Sequence, residues 1–423
     1  ELEATTARKG NRKVSLTISG QVNRTMMYWD DGGRSNLYFG QDNTNSSTRI
    51  GFSGNAKVSS DWTAGYSILI DVADRARAVS SIQINEDGGA RDNANVNADH
   101  LLRLRDANFW LQREGLGRFT MGRLTTSGPV GVIDLGGVSV VAATGEGCIG
   151  TSLRFRNDAG ALTNANIGDF TMSCAHPTFR QEGIKYTSPT WHGFVFSASV
   201  GEAAKVQQAT ADTTNTSVAN NTNIGRTLGA DLRYANEFNG VRVAFGLGWE
   251  KSEVNEDDAG NRAEAQSGEY ESWGLSGSLM HVPTGLFLQA FWLEAELKPA
   301  VAGGGFTSAN KADMWHIQAG VARNFFGIGN TVFYGEYAQF NDWYRLNTAG
   351  LGQAAGAAPS AAIALPSGTS DELNMWGLGM VQNIDAASME LYIGYRNFSA
   401  STNGSATGLK DVDVVAAGAR IRF

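Results

Sequence analysis

The chain has 423 residues, with Gly at 52, Pro at 7, hydrophobic residues at 42% and aromatic residues at 10%. Glycine in excess without proline excludes collagen, and the aromatic content excludes a disordered chain. A net charge of −8 argues against nucleic acid as a partner, which needs a basic face.

No run approaches 18 consecutive apolar residues, so no helical span is predicted. The start, Glu1-Leu2-Glu3-Ala4-Thr5, has no signal-peptide pattern and reads as a mature form. Period-2 alternation dominates throughout. In Val241–Lys251 one face carries Val241, Val243, Phe245, Leu247 and Trp249, and the other carries Arg242, Ala244, Gly246, Gly248 and Glu250. In a strand these sets point to opposite sides.

Sixteen such segments follow in chain order: 13–29, 46–58, 61–71, 100–113, 117–127, 180–188, 191–201, 225–236, 239–251, 270–282, 285–296, 311–324, 329–341, 371–383, 387–399 and 410–423. A further short strand is expected at 152–156. Connections alternate between short turns, such as Ser59-Ser60 and Pro283-Thr284, and long polar loops, such as 72–99, 202–224, 252–269 and 342–370. A soluble sandwich has no reason to sort its loops by length. An even-stranded, antiparallel up-and-down transmembrane barrel does, with short periplasmic turns and long external loops. Its closure satisfies every backbone polar group in lipid. The expected fold is therefore all-β: one 16-stranded barrel domain over 1–423, with 1–12 as an N-terminal periplasmic segment and small or charged residues facing a water-filled interior.

The chain resembles the general diffusion porins of Gram-negative outer membranes, of the alphaproteobacterial type. The resemblance spans the whole chain. It rests on the terminal Phe423, on Gly10-Asn11-Arg12-Lys13-Val14, and on the hairpin Thr48–Gly54 with Ser60–Tyr66. Leu104–Phe109 and Gly117–Arg123 extend it to strands four and five. It implies a homotrimer of independent pores in outer-membrane lipid and lipopolysaccharide, passing ions and small hydrophilic solutes. It also implies a third external loop, 128–179, folded into the barrel. Ile133-Asp134-Leu135-Gly136-Gly137 resembles the tip of that loop, with Leu135 where the family has an aromatic residue.

At a pore constriction, Arg49 and Arg105 are expected to face Asp134. Arg103, Arg123, Lys185 and Glu146 are further candidates. Opposed charges across a narrow neck produce a transverse field. If Arg103 and Arg105 point inward, Asp106 and Asn108 point outward, and strand one likewise turns Arg24 outward. Such groups cost energy against lipid, so strands one to five are expected to form the trimer interface, with loop 72–99 latching onto a neighbour. A bulge in strand one is the alternative. Cys148 and Cys174 share one connection and suit a disulfide.

The five histidines show no metal-ligand spacing. No catalytic constellation stands out, and no cofactor is expected. A loop-bound Ca²⁺ at Glu256-Asp257-Asp258 is the less favoured reading of a solvated acidic run. Two other functions compete: a substrate-selective channel, and a barrel-anchored receptor or adhesin acting through its loops.

Overall fold

The computed structural model describes residues 14–43, 45–72, 102–142, 149–151, 153–171, 180–202, 224–254, 268–299, 310–349, 370–403 and 408–423. The strands in chain order are β1 (Thr17–Asp30), β2 (Ser35–Asp42), β3 (Arg49–Lys57), β4 (Trp62–Val72), β5 (Leu102–Arg113) and β6 (Gly117–Leu124). Two short strands, β7 (Arg154–Arg156) and β8 (Leu162–Asn166), pair only with each other. The barrel continues with β9 (Gln181–Thr187), β10 (Phe194–Glu202), β11 (Ile224–Phe238), β12 (Val241–Val254), β13 (Gly268–His281), β14 (Leu286–Pro299), β15 (Asn310–Arg323) and β16 (Thr331–Asn341). A short helix, α1 (Trp343–Ala349), precedes β17 (Asp371–Ile384), β18 (Met389–Thr402) and β19 (Val412–Arg422).

Every ladder is antiparallel; β6 pairs with β9 past the β7–β8 insertion, and β1 closes the sheet on β19 from Gln21↔Arg422 to Asp30↔Asp413. Phe423 finishes the seam, exchanging backbone hydrogen bonds with Gly20 at 2.8 and 3.1 Å. β2 and β3 pair end to end with the same strand, β1, so they fill one place and the closed barrel has sixteen. Among the described residues no helix is long and apolar enough to cross a membrane; the strands make the crossing.

The alternation read from the sequence is the alternation of burial. In β13, Tyr270, Ser272, Ser276 and Met280 are buried, while Trp273, Leu275 and Leu279 are exposed on the outside. Outward aromatics form neighbouring pairs, Trp249–Trp273, Trp315–Tyr337 and Trp376–Tyr395, with ring centroids 5.1 to 6.1 Å apart. Such amphipathic rings suit the membrane boundary.

Three departures from the expected barrel have physical reasons. First, the second strand begins earlier than predicted. Ser35–Asp42 pairs with β1, and only a tight turn at Asp31–Arg34 intervenes, held by Asp31 Oδ1 accepting from the Gly33 and Arg34 amides. Flanking Gly and Asn residues disguise β2 as loop. The strand then breaks over 43–48 before resuming as β3.

Second, β5 carries a bulge. Leu69 pairs with Asp106 and Ile70 with Leu104, so Arg105 is the extra residue. One inserted residue reverses the parity beyond it. Asp106 and Asn108 therefore register with Leu69 and Ser67 on the lumenal side, while Phe109 is exposed on the outside. This corrects their expected outward placement. Arg24 does face outward with Val22, Met26 and Tyr28; the β1–β19 ladder beside it is unbroken, while the β1–β2 ladder shifts register between Thr25 and Met27.

Third, the interior is not uniformly polar. Leu293, Leu297, Met314, Phe340, Leu373, Met375, Phe398, Val412 and Val414 face inward and are buried. They share a core with Leu153, Phe155, Ile167 and Phe170 from the connection between β6 and β9. Fully burying each such side chain is worth roughly 1.5–3 kcal/mol. The expected strand at 152–156 belongs to this inserted cap rather than to the barrel wall.

Candidate functional site

The first described part of the connection after β6 packs against the inward faces of the wall. The Ser127 amide donates to Ser199 Oγ on β10 (2.7 Å), and the Ile133 amide to Ser276 Oγ on β13 (3.1 Å). The Leu135 amide reaches Gln289 Oε1 on β14 at 3.2 Å. A Cβ at Gly229 or Gly248 would strike the loop backbone at Ser127 or Gly128, so glycine permits this close approach. Farther on, Val141 packs on Gly394 of β18, and the Val140 carbonyl accepts from Asn43 Nδ2 at 3.0 Å. Residues 127–142 thus touch the inward faces of β10 to β14, then β18 and the break at 43–48.

Asp134 occupies the turn of this run. Its Oδ1 accepts from the Gly137 amide and its Oδ2 from the Ser139 amide, both at 2.7 Å, and Gln289 Nε2 stands 3.4 Å from Oδ1. The carboxylate fixes the loop's bend. β14 is eight places around the sixteen-stranded ring from β4, so Asp134 sits across the lumen from Asp71 and the strands beside it.

That opposite wall is basic. Arg49 faces inward opposite Asp71, and its charged neighbours are Arg105, Asp71, Arg420 and Arg422. Arg105 Nη1 meets Asp71 Oδ2 at 2.7 Å. Arg180, just before β9, lies 3.4 Å from Asp106. Burial first, and then the Arg105 guanidinium beside it, bring Arg180 down to about 10, so it remains a cation at neutral pH. Lys185 faces inward and donates to the Thr125 carbonyl (3.4 Å), with Asp231 and Arg233 as charged neighbours. Arg103 holds the register position opposite Asp71.

Arg123 is a correction. It registers with Ala107 and Glu182 on the outer side of the wall, and its Nε donates to the Leu104 and Arg105 carbonyls at 3.2 Å each. There it holds the β5 bulge, the same parity change that overturned the outward reading of Asp106. Glu146, Cys148, Cys174, the 256–258 carboxylates, the loop 73–101 and residues 1–13 lie outside the described residues.

Sequence reasoning missed a second cluster, on the wall behind the loop. Gln289, Gln318, Glu336, Gly377 and Arg396 occupy successive cross-strand positions on β14 to β18. Arg396 binds Glu336 in a fork, Nε to Oε1 at 2.8 Å and Nη2 to Oε2 at 3.1 Å, and His316 Nε2 is 3.1 Å from Oε2. Gln289 hydrogen-bonds Gln318 and so connects the row to Asp134. Gly377 leaves the path open, since a Cβ there would stand 2.9 Å from Glu336 Oε1. The inward parity of these residues was legible; their alignment at one height depends on strand register. Among the described residues no group of His, Cys, Asp or Glu could hold a metal ion.

Above the wall, the inserted cap is tied to the external ends of the strands. Arg156 Nε pairs with Asp31 at 2.7 Å, and Phe170 stacks on Tyr344 of α1 at 4.8 Å. Asp371 accepts from the Tyr344 and Arg345 amides at 2.9 and 3.0 Å, capping that helix. Asp169, in a capping box with Asn166, is pushed up to about 6 by burial.

Comparison with known proteins agrees with this architecture. The anion-selective porin of Comamonas acidovorans is 16% identical, with a TM-score of 0.58 over 97% of this chain and 100% of that one. Salmonella typhi OmpF, in complex with daunomycin, is 17% identical, with a TM-score of 0.54 over 97% and 98%. The outer membrane channel DcaP of Acinetobacter baumannii is 13% identical, with a TM-score of 0.53 over 98% and 99%. No curated protein matches the sequence. At these identities the likeness is one of fold. A family model described as Gram-negative porin matches residues 4–420. The chain belongs to the Gram-negative porin family and forms an outer-membrane diffusion channel.

Proposed function

We propose that this channel passes small hydrophilic solutes and ions with a preference for anions, through a neck between the 127–142 run and the wall built by β3, β4, β5 and β9. One observation carries the reading: Arg49, Arg105, Arg180 and Lys185 all face the lumen on the wall that the run leaves uncovered. Their acidic neighbours are already engaged. Asp71 is paired with Arg105, Asp106 lies beside Arg180, Asp231 is held by Arg233 and Asp134 holds its own turn, so the surplus rests on Arg49 and Lys185. Surplus positive charge in a low-dielectric neck concentrates anions and retards cations. The structural neighbour from Comamonas is itself described as anion-selective.

Trimer formation is part of the same proposal. One structural neighbour, OmpT of Vibrio cholerae, is described in a trimer form. The outer face of β1, β6 and β9 carries Arg24, Arg123 and Glu182 among its apolar residues, a poor surface for lipid and a suitable one for another protomer. Reversal potentials under a salt gradient in planar bilayers test the ion preference, which should be anionic and shrink as the Debye length falls from ~10 Å at 0.1 M to ~3 Å at 1 M. A cation-selective current at low salt would refute it. Saturation of the current by one solute class would favour a substrate-selective channel instead.

A further inference from the structure

The break in the second barrel strand is a built feature. Arg24 pairs with Asp42 and Gln21 with Arg49, so two residues of β1 face six on the partner strand, 43–48. Asn and Ser dominate the insertion, residues that bond their own backbone in turns. Asn43 Oδ1 accepts from the Asn45 and Ser46 amides. Thr48 takes the place of the missing ladder, its Oγ1 accepting from the Asn23 amide at 3.1 Å. Gln21 Nε2 clamps the segment from below, at 2.9 Å from Ser46 Oγ and 2.7 Å from the Ser47 carbonyl. Both serines are buried.

The two hydroxyls so fixed each reach an arginine. Ser46 Oγ accepts from Arg420 Nη1 of β19 at 2.7 Å. Ser47 Oγ lies 3.3 Å from Arg105 Nη1 of β5 and donates to Asp71 Oδ1 at 2.7 Å. The consequence shows in the ion pairs. Arg105 meets Asp71 through Nη1 alone, and its Nε has no hydrogen-bond partner among the described residues. Arg420 gives its Nε to Glu390 Oε2 and its Nη1 to Ser46, while Arg422 takes Glu390 Oε1 at 2.9 Å. Arg396 instead closes a two-toothed fork on Glu336. A forked pair is internally neutralised and projects little field. A guanidinium turned partly away from its carboxylate leaves positive charge directed at the lumen.

We propose that Ser46 and Ser47 are positioning residues for ion selectivity: the strand break presents their hydroxyls so that Arg105 and Arg420 stay half-released from Asp71 and Glu390. The inference rests on the anion preference proposed above. It predicts that the serines matter to permeation although neither carries charge.

The test is made on the full-length channel in planar bilayers at 0.1 M salt, with Ser46→Ala/Ser47→Ala, the hydroxyl-retaining Ser46→Thr/Ser47→Thr, and Arg105→Ser and Arg420→Ser as references. The double alanine variant should lower the anion-over-cation permeability ratio about 2-fold, as the arginines fold onto their carboxylates. The double threonine variant should restore the ratio. The urea midpoint of the folded barrel should be the same in both. An unchanged ratio in the alanine variant, with a lowered ratio in Arg105→Ser, overturns the positioning role and leaves the basic-wall reading intact. A ratio that falls with the urea midpoint and is not restored by threonine also overturns it, because the loss is then structural. Unchanged ratios in both arginine variants overturn the basic-wall reading, and this proposal with it.

Discussion

The two halves of the barrel interior use the same ion-pair chemistry for opposite ends. On β14 to β18, Arg396 and Glu336 are buried behind the loop, forked together and flanked by His316 and Gln318. On β3 to β9, Arg105, Arg180 and Arg49 keep partial exposure and looser partners. Withdrawn from water, a charge must be fully matched or it destabilises the fold. Left in water, its field reaches the solute. What separates the halves is the cover: among the described residues, 127–142 and the cap within 149–171 pack on one side and not on the other.

The largest effect should come from unbalancing the buried half. Glu336→Leu strands Arg396 without its carboxylate and should cost about 3–5 kcal/mol, read as a lowered urea midpoint of the folded barrel. A shift no larger than that of Arg105→Ser would break the contrast between the halves. Next comes the cap. Asp169 stands raised to about 6 by burial, so the docked cap favours the protonated acid. The stability penalty is full above pH ~6 and vanishes as pH falls below the ordinary carboxyl value of ~4. Asp169→Asn keeps an acceptor for the capping box and should strengthen the cap by about 3 kcal/mol at pH 7.5 and by little at pH 4. Amide-exchange protection over 153–171, corrected for intrinsic rates, measures this.

A smaller effect is expected at the loop's bend. Asp134→Asn sets an amide NH₂ against the Ser139 N–H or the Gly137 N–H, costing roughly 1–2 kcal/mol locally. It also removes a negative charge across from the arginines. Open-channel noise should rise and the reversal potential should move toward anions; an unaltered current trace would place Asp134 away from the neck. The smallest stability change belongs to the bare wall. Arg49→Ser should alter the unfolding free energy by under ~1 kcal/mol, and Arg105→Ser by more, because it leaves the buried Asp71 without its cation; both should lower anion preference at 0.1 M salt and raise conductance by removing bulk.

Much of the barrel was legible because alternation is a local signal. Each of the sixteen segments contains a barrel strand, and Trp249, Trp273 and Trp315 lie on the outer parity read for them. Parity fails where one residue is inserted. Nothing local in Leu104-Arg105-Asp106 announces a bulge, yet it decides that Asp106 faces inward and that Arg123 grips its carbonyls from outside. Arg49 and Lys185 were found because their strands are regular from those positions on, whereas Arg105 meets the lumenal Asp71 as the inserted residue of the bulge itself. The forked pair at Glu336 was missed because its members stand 60 residues apart and meet only across the glycine of β17.

Sequence alone determined the class of object: a closed, even-stranded barrel with an apolar outer face, because a two-residue period repeated sixteen times with loops of alternating length has few other solutions in a bilayer. The charge inside it was decided only in three dimensions. A chain of net charge −8 presents a basic wall to its lumen, because the field at the neck depends on which charges face inward, which are already paired and which the loop covers. Those are properties of register, bulge and long-range packing, and no window of sequence contains them.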